Sequence, residues 1–285
     1  MPKFEAIRLS LSVPTIGNLA KDRKDREPKL SRQEFLLEAF SRRIDFFYAG
    51  SLYHYVPGPK ETQIVSIISG FIGKSVSETV ASGPDELFAQ TRTKRYKASF
   101  ISVDIAPDKQ IILFEKRSDV GNSRNILDQL FAQFIRERRS LSWHVDLEFM
   151  SRAVDFWKLA KKHEGNITEI SFEFLPPNGL KAEMALDKLK QVDRVAKQTT
   201  NAEISEYSLK NKAGQLRPQG RFISDAIDYI EKGGGKATMK NGRHTIYSSH
   251  DERVIIPSPE TLMPRQAEPT KIMGIADWLW KKLNG

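Results

Sequence analysis

The sequence predicts an α+β protein: a β-rich N-terminal half, a C-terminal half in which helices and strands alternate, and a short C-terminal helix after a Pro-rich linker. Three observations carry this. Aromatic and β-branched runs dominate from about Asp45 to Arg117. After Asn122 the apolar residues recur first at helical spacing and then at strand spacing. Pro257, Pro259, Pro264 and Pro269 then stiffen the chain ahead of one last amphipathic stretch. The implied segments are 1–121 (β-rich), 122–256 (α/β) and 257–285 (linker and helix). The chain has 285 residues, 39% of them hydrophobic and 28% charged, with 16 Phe, 7 Tyr and 4 Trp. That is enough apolar material for a real core and too many aromatics for a disordered chain.

The elements follow in order. Phe4 to Val13 reads as an opening strand. Pro14 to Pro28 is a charge-rich loop with few apolar residues. Ser31 followed by Glu34 is a capping box ahead of a helix carrying Phe35, Leu36 and Phe40. Phe46-Phe47-Tyr48, Ser51 to Tyr55 and Gln63 to Ile68 are strand pieces. Phe100 to Ile105 and Gln110 to Phe114 flank a turn at Ala106-Pro107-Asp108-Lys109. Ser123 is placed to cap a helix whose stripe is Ile126, Leu127, Leu130, Phe131 and Phe134. Then come a strand (Trp143 to Phe149), a helix (Ser151 to Lys162), a strand (Ile167 to Leu175), a helix (Lys181 to Lys197), a strand (Ala202 to Leu209) and a helix (Phe222 to Ile230). Gly233-Gly234-Gly235 turns the chain into a last β region, Lys236 to Ile256. The final helix carries Ile272, Ile275, Ala276, Leu279 and Trp280 on one face. That face is expected to dock on its own domain or to serve a protein partner or self-association.

Composition removes several function classes. Without cysteine there are no disulfides, thiolate zinc sites, iron–sulfur clusters or cysteine nucleophiles. No secretory leader pattern and no run of about 18 apolar residues occurs, so the expectation is a cytoplasmic protein that does not enter a membrane.

Motifs for catalysis are few. Ser69-Gly70-Phe71-Ile72-Gly73-Lys74-Ser75 ends like a phosphate-binding loop, but the first glycine of such a loop would fall on Ile68. Gly70 and Gly73 are expected in a β-turn instead. Asp104 on one strand, with Glu115 and Arg117 on the next, imitates the Asp and Glu-x-Lys of metal-dependent nucleases. There the carboxylates hold a divalent cation and the lysine steadies the attacking water. Arginine at 117 is a poor stand-in, because it does not give up its proton. His144, Asp146 and Glu148 alternate along a strand and form a candidate metal set, with Glu169 and Glu173 near if the next strand lies alongside. No cofactor is expected, and a divalent metal only under the nuclease alternative.

Charge is the clearest functional clue. The net charge is +9, which favours polyanionic partners. Between Glu86 and Asp104 there is no acid, while Arg92, Lys94, Arg95 and Lys97 cluster around Tyr96. On a strand, Arg92, Lys94 and Tyr96 share one face and Arg95 and Lys97 the other. A guarded edge strand would look the same. Two further acid-free stretches contribute Lys210, Lys212, Arg217 and Arg221, then Lys236, Lys240 and Arg243. No helix-turn-helix, zinc finger or ribonucleoprotein motif is present, so base-specific recognition is not implied.

The β-rich front, the alternating rear and the run Ala226-Ile227-Asp228-Tyr229-Ile230-Glu231-Lys232-Gly233-Gly234-Gly235 resemble uncharacterised bacterial proteins of the mobile-element and phage-defence kind. The resemblance implies an accessory protein of an antiviral defence system that handles nucleic acid. It carries no site residues. The expectation is therefore a basic protein, without its own catalytic centre, that binds DNA or RNA through Arg92–Lys97 and Lys210–Arg243. The alternatives are a metal-dependent nuclease and a protein–protein interaction module.

Overall fold

The computed structural model describes residues 1–12, 29–63, 66–138, 143–174, 205–264 and 268–284. The expected loop at 14–28, the expected helix Lys181 to Lys197 and the first residues of the strand expected from Ala202 lie outside them.

Two antiparallel sheets organise the chain. The first joins β1 (Lys3–Ser12), β2 (Ile44–Tyr48), β3 (Ser51–Pro57), β4 (Ile67–Ala81), β5 (Gln90–Asp104), β6 (Ile111–Glu115), β7 (His144–Phe149) and β12 (Ile255–Pro257). Its order is β12-β1-β6-β5-β4-β3-β2. The outer edge of β1 is shared, with β12 against residues 3–5 and β7 against residues 7–12. The second sheet has the order β11-β10-β8-β9, with β8 (Glu169–Phe174), β9 (Ser205–Lys210), β10 (Gly235–Asn241) and β11 (His244–Ser248). The five described helices are α1 (Arg32–Phe40), α2 (Ser123–Arg138), α3 (Ala153–Lys162), α4 (Arg221–Glu231) and α5 (Pro269–Asn284). The α+β class is the one the sequence predicts.

Local chemistry explains the helix starts. Ser31 and Glu34 form the expected capping box, with Glu34 N donating to Ser31 Oγ at 3.2 Å and Ser31 N to Glu34 Oε2 at 2.8 Å. At α2 the cap is Asn122, whose Oδ1 accepts from Asn125 N at 3.1 Å. Ser123, expected in that role, is the first helical residue, and its hydroxyl donates to the buried Glu5 of β1. Gly70 and Gly73 also depart from expectation. They lie inside the continuous strand β4, not in a turn. A Cβ on Gly70 would come within 2.6 Å of the Val56 carbonyl oxygen, so the glycine permits a close approach of β3.

Helices cover both faces of the first sheet. On one face, Phe35, Leu36 and Phe40 of α1 and Ile126, Leu130, Phe131 and Phe134 of α2 pack on Ile7, Leu9, Tyr53, Tyr55, Ile72 and Ile101. On the other, α5 lays Ile272, Ile275, Ala276, Leu279 and Trp280 over Phe4, Ala6, Phe100, Ile111 and Leu113. Trp280 Nε1 donates to Ser102 Oγ at 2.9 Å, fixing the helix in place. Each Ile, Leu or Phe among these, fully buried, contributes about 1.5–3 kcal/mol. The apolar stripe of α5 is thus used on the protein's own sheet. The second sheet has one face covered by α3 and α4, through Phe156, Phe172, Ile223, Ile227 and Tyr229.

Sheet membership does not change where the composition does, at residue 122. α2 packs on the first sheet and β7 and β12 join it, and the chain passes to the second only after β7. The two sheets meet at β1. Arg8, 3% exposed, lies beneath the turn between α4 and β10, where a Cβ on Gly233 would stand 2.3 Å from the Arg8 Cβ. Burial lowers the Arg8 pKa to about 10.

Candidate nucleic-acid interface

β4 and β5 pair over 15 residues each, yet only part of this hairpin lies within the sheet. The pairing of β3 with β4 ends at Tyr53↔Lys74, and that of β5 with β6 ends at Ile101↔Phe114. The seven pairs from Ser75↔Tyr96 to Ala81↔Gln90 have only each other. At roughly 3.3 Å per residue they form a two-stranded ribbon about 20 Å long.

Register decides what each ribbon face carries, because directly paired residues share a face. One face holds Arg92 with Thr79, Lys94 with Ser77, and Tyr96 with Ser75. The other holds Thr93 with Glu78, Arg95 with Val76, and Lys97 with Lys74. The predicted division of the five residues between faces is the observed one. Glu78 sits between Arg95 and Lys97, at 3.5 and 3.4 Å. Arg92 and Lys94 have no carboxylate within ion-pair distance among the described residues. Lys94 Nζ lies 5.8 Å from the Tyr96 ring centroid, and Tyr96 meets His54 edge to face at 5.6 Å. The turn at the far end carries Asp85 and Glu86, followed by exposed Leu87 and Phe88.

The other basic candidates lie on and around the second sheet, where acids from β8 meet three of them, Lys210, Lys236 and Lys240. Glu169 of β8 receives Lys240 at 3.3 Å and Lys210 at 3.7 Å, from the strands on either side. Partial burial pushes the Glu169 carboxyl up, but the hydrogen bond and charge of Lys240, the charge of Lys210 and the Ser208 hydroxyl outweigh it and hold the group below the usual range. Lys236 lies 3.6 Å from Glu173 and 3.7 Å from Glu148. Arg221 lies 3.9 Å from Asp225. Lys212, Arg217 and Arg243 are exposed. Arg217 and Lys210 line an open cleft of about 590 Å³ with Leu216 and Phe222.

The carboxylates proposed for metal chemistry are engaged in the architecture. Asp104, 2% exposed, accepts from Ser66 Oγ at 2.7 Å and Ala106 N at 3.0 Å, with Lys109 at 3.6 Å. Glu115 accepts from Phe100 N at 2.9 Å, and burial raises its pKa. Asp104 pairs with Ile111, four residues from Glu115 on β6. At the strand rise this separates the two carboxylates by about 13 Å, too far for one ion. Arg117 forks onto Asp119 at 2.9 and 3.1 Å and donates to the Ala98 carbonyl at 3.0 Å.

On β7, His144 Nε2 lies 3.3 Å from Asp146, while Glu148 is buried between Arg124 at 3.4 Å and Lys236 at 3.7 Å. Burial raises the Glu148 pKa, and the two cations oppose that shift. The condition for Glu169 and Glu173 to join this set is not met, because β8 belongs to the other sheet and does not pair with β7; Glu173 is reached only through Lys236, and Glu169 sits at the other end of β8. The cluster around Glu148 ties the two sheets together. Among the described residues no group of three or more His, Asp or Glu is arranged to hold a metal ion, and no helix is long and apolar enough to cross a membrane.

In the sequence, Phe46-Phe47-Tyr48 and His54 are legible only as strand residues. The structure puts Phe47, 73% exposed, and His54 on the same sheet face as Tyr96. The available signal was alternation: Phe46 and Phe47 must point to opposite sides, so one of two adjacent phenylalanines has to leave the α1–α2 core. Compared with models of protein families, with curated proteins and with solved structures, the chain matches none.

Proposed function

We propose that this protein binds nucleic acid through the ribbon formed by β4 and β5, and that it does so without a catalytic centre of its own. The observation that carries this reading is the face bearing Arg92, Lys94 and Tyr96. It projects from the sheet, its partner strand offers only Ser75, Ser77 and Thr79, and its two cations have no acid beside them among the described residues. Cations with hydroxyl donors between them suit a phosphate backbone, and contacts of that kind position a nucleic acid without reading its sequence. The second basic region enters with a smaller share, through Lys212, Arg217 and Arg243. The separation of Asp104 from Glu115 gives the nuclease alternative no support. The wider setting, an accessory role of the phage-defence kind in a bacterial cytoplasm, rests on the sequence resemblance.

The test is filter binding of DNA and RNA over a salt series. Wild-type affinity should fall steeply with salt, because each neutralised phosphate releases counterions. Combining Arg92→Ala with Lys94→Ala should weaken binding on the order of tenfold at low salt and flatten the log–log slope by about 1.4 to 1.8. Absence of wild-type binding to either polymer at low salt would sink the proposal.

A further inference from the structure

The first sheet is covered unevenly. One face lies under α1 and α2, whereas α5 covers the other over β12, β1, β6 and the adjoining parts of β5 and β4, as far as Ile67 and Phe71. The rest of that second face, on β2, β3 and the root of the ribbon, carries Phe47, His54, Val56 and Tyr96, and continues outward to Lys94 and Arg92. Phe47 is 73% exposed, Tyr96 57% and Val56 44%. Such a surface is not an ordinary solvated face: its exposed groups are large and bordered by cations, and the register sets Phe47 and Tyr96 in one row three strands apart, about 14 Å.

We infer that this open half-sheet is a stacking platform for single-stranded nucleic acid, with bases on Tyr96 and Phe47 and the backbone running along Lys94 and Arg92. The inference rests on the nucleic-acid reading above and names its ligand class.

Three features favour a single strand. First, bases stack on aromatic rings only when they are splayed from their own neighbours, which a duplex does not allow on an open sheet floor. Second, the acid on this face is disarmed. Asp45 is forked by Arg43 at 2.9 Å through both oxygens and approached by His54 Nδ1 at 2.8 Å. The hydrogen bond from Arg43 holds the Asp45 carboxyl below the usual range, so it stays paired and does not repel phosphate from within. Third, the far turn of the ribbon bears Asp85 and Glu86. Its exposed Leu87 and Phe88 are therefore poorly placed as a wedge into a duplex, whose phosphates would meet those acids, and the favourable path leads from the ribbon toward the sheet.

The experiment uses the full chain and three probes: a mixed-sequence DNA single strand, its RNA counterpart and the annealed DNA duplex. Binding is measured for wild type, Tyr96→Ala, Tyr96→Phe and Phe47→Ala, with sedimentation of each free protein. The single strands should bind more tightly than the duplex. Each alanine variant should lose about 5- to 100-fold on single strands, and Tyr96→Phe should restore most of that loss, because the stacking ring remains. Duplex affinity should move little. Both substituted side chains, Tyr96 and Phe47, are exposed, and an unchanged thermal melt confirms the fold.

Equal or tighter duplex binding, unaffected by the alanine variants but weakened by the Arg92/Lys94 double variant, would overturn the inference and leave the proposed function standing. A wild-type dimer that Phe47→Ala dissociates, without change in single-strand affinity, would overturn it in favour of self-association. Failure of the wild type to bind any probe would remove both readings.

Discussion

The ribbon root and the second sheet look alike in sequence, as basic stretches without acids, and differ completely in space. Around Lys210 and Lys240 the antiparallel order places β8 between β9 and β10, and Glu169 falls between the two lysines. In the ribbon, β5 has one neighbour, β4, whose Glu78 emerges on the face of Arg95 and Lys97. Arg92 and Lys94 are left facing serine and threonine. A stretch free of acids along the chain is therefore not a stretch free of acids across a sheet. Cross-strand neighbours about 5 Å away decide whether a cation is available to a ligand.

Three experiments would break or sharpen this contrast beyond the Arg92/Lys94 and stacking variants, which have the largest expected effects. Glu169→Gln should release Lys210 and Lys240 together. If the mask is what distinguishes the regions, low-salt affinity should rise about two- to fivefold, with a salt slope steeper by up to about 1.4 in filter binding. An unchanged slope would mean that the second sheet lies off the ligand path, whatever its charge.

The converse pair, Lys210→Ala with Lys240→Ala, should change affinity less than about twofold. Because both are partly exposed ion pairs, it should also cost at most about 1 kcal/mol in denaturant unfolding. A loss comparable to that of the ribbon variant would erase the contrast.

The smallest effect is expected at Glu115, which accepts from Phe100 N beneath the ribbon root. Its pKa is raised by burial, so the folded state holds the proton more tightly than the unfolded chain. Stability contributed by the protonated carboxyl is then complete below the unfolded pKa and declines as pH rises through the folded one. Glu115→Gln keeps an acceptor for Phe100 N and removes that decline. Its stability relative to wild type should rise from acid toward neutral pH in chemical unfolding, with nucleic-acid affinity unchanged. A constant difference across that range would contradict the burial argument.

Much of the fold was legible because local signals and tertiary structure agree. Ser31 and Glu34 cap α1 because both groups that satisfy the free N–H donors are encoded three residues apart. The α5 stripe was visible as a helical repeat, though only the structure showed that the protein's own sheet receives it. Gly70 looks like a turn residue in the sequence, since a glycine needed for close strand approach is indistinguishable there from one needed for a bend. Asp104 and Glu115 look like neighbours in the sequence because a hairpin pattern alone carries no register. The observed pairing puts Asp104 opposite Ile111.

The sequence by itself determined that the chain is α+β, cysteine-free and basic, and that Arg92, Lys94 and Tyr96 share a strand face, because composition and the two-residue strand period are local properties. Tertiary structure alone decided which cations keep their charge available and which aromatics line an open face. Those depend on the neighbouring strand and on where α5 stops covering the sheet, and strand order and register bring together residues that the chain keeps far apart.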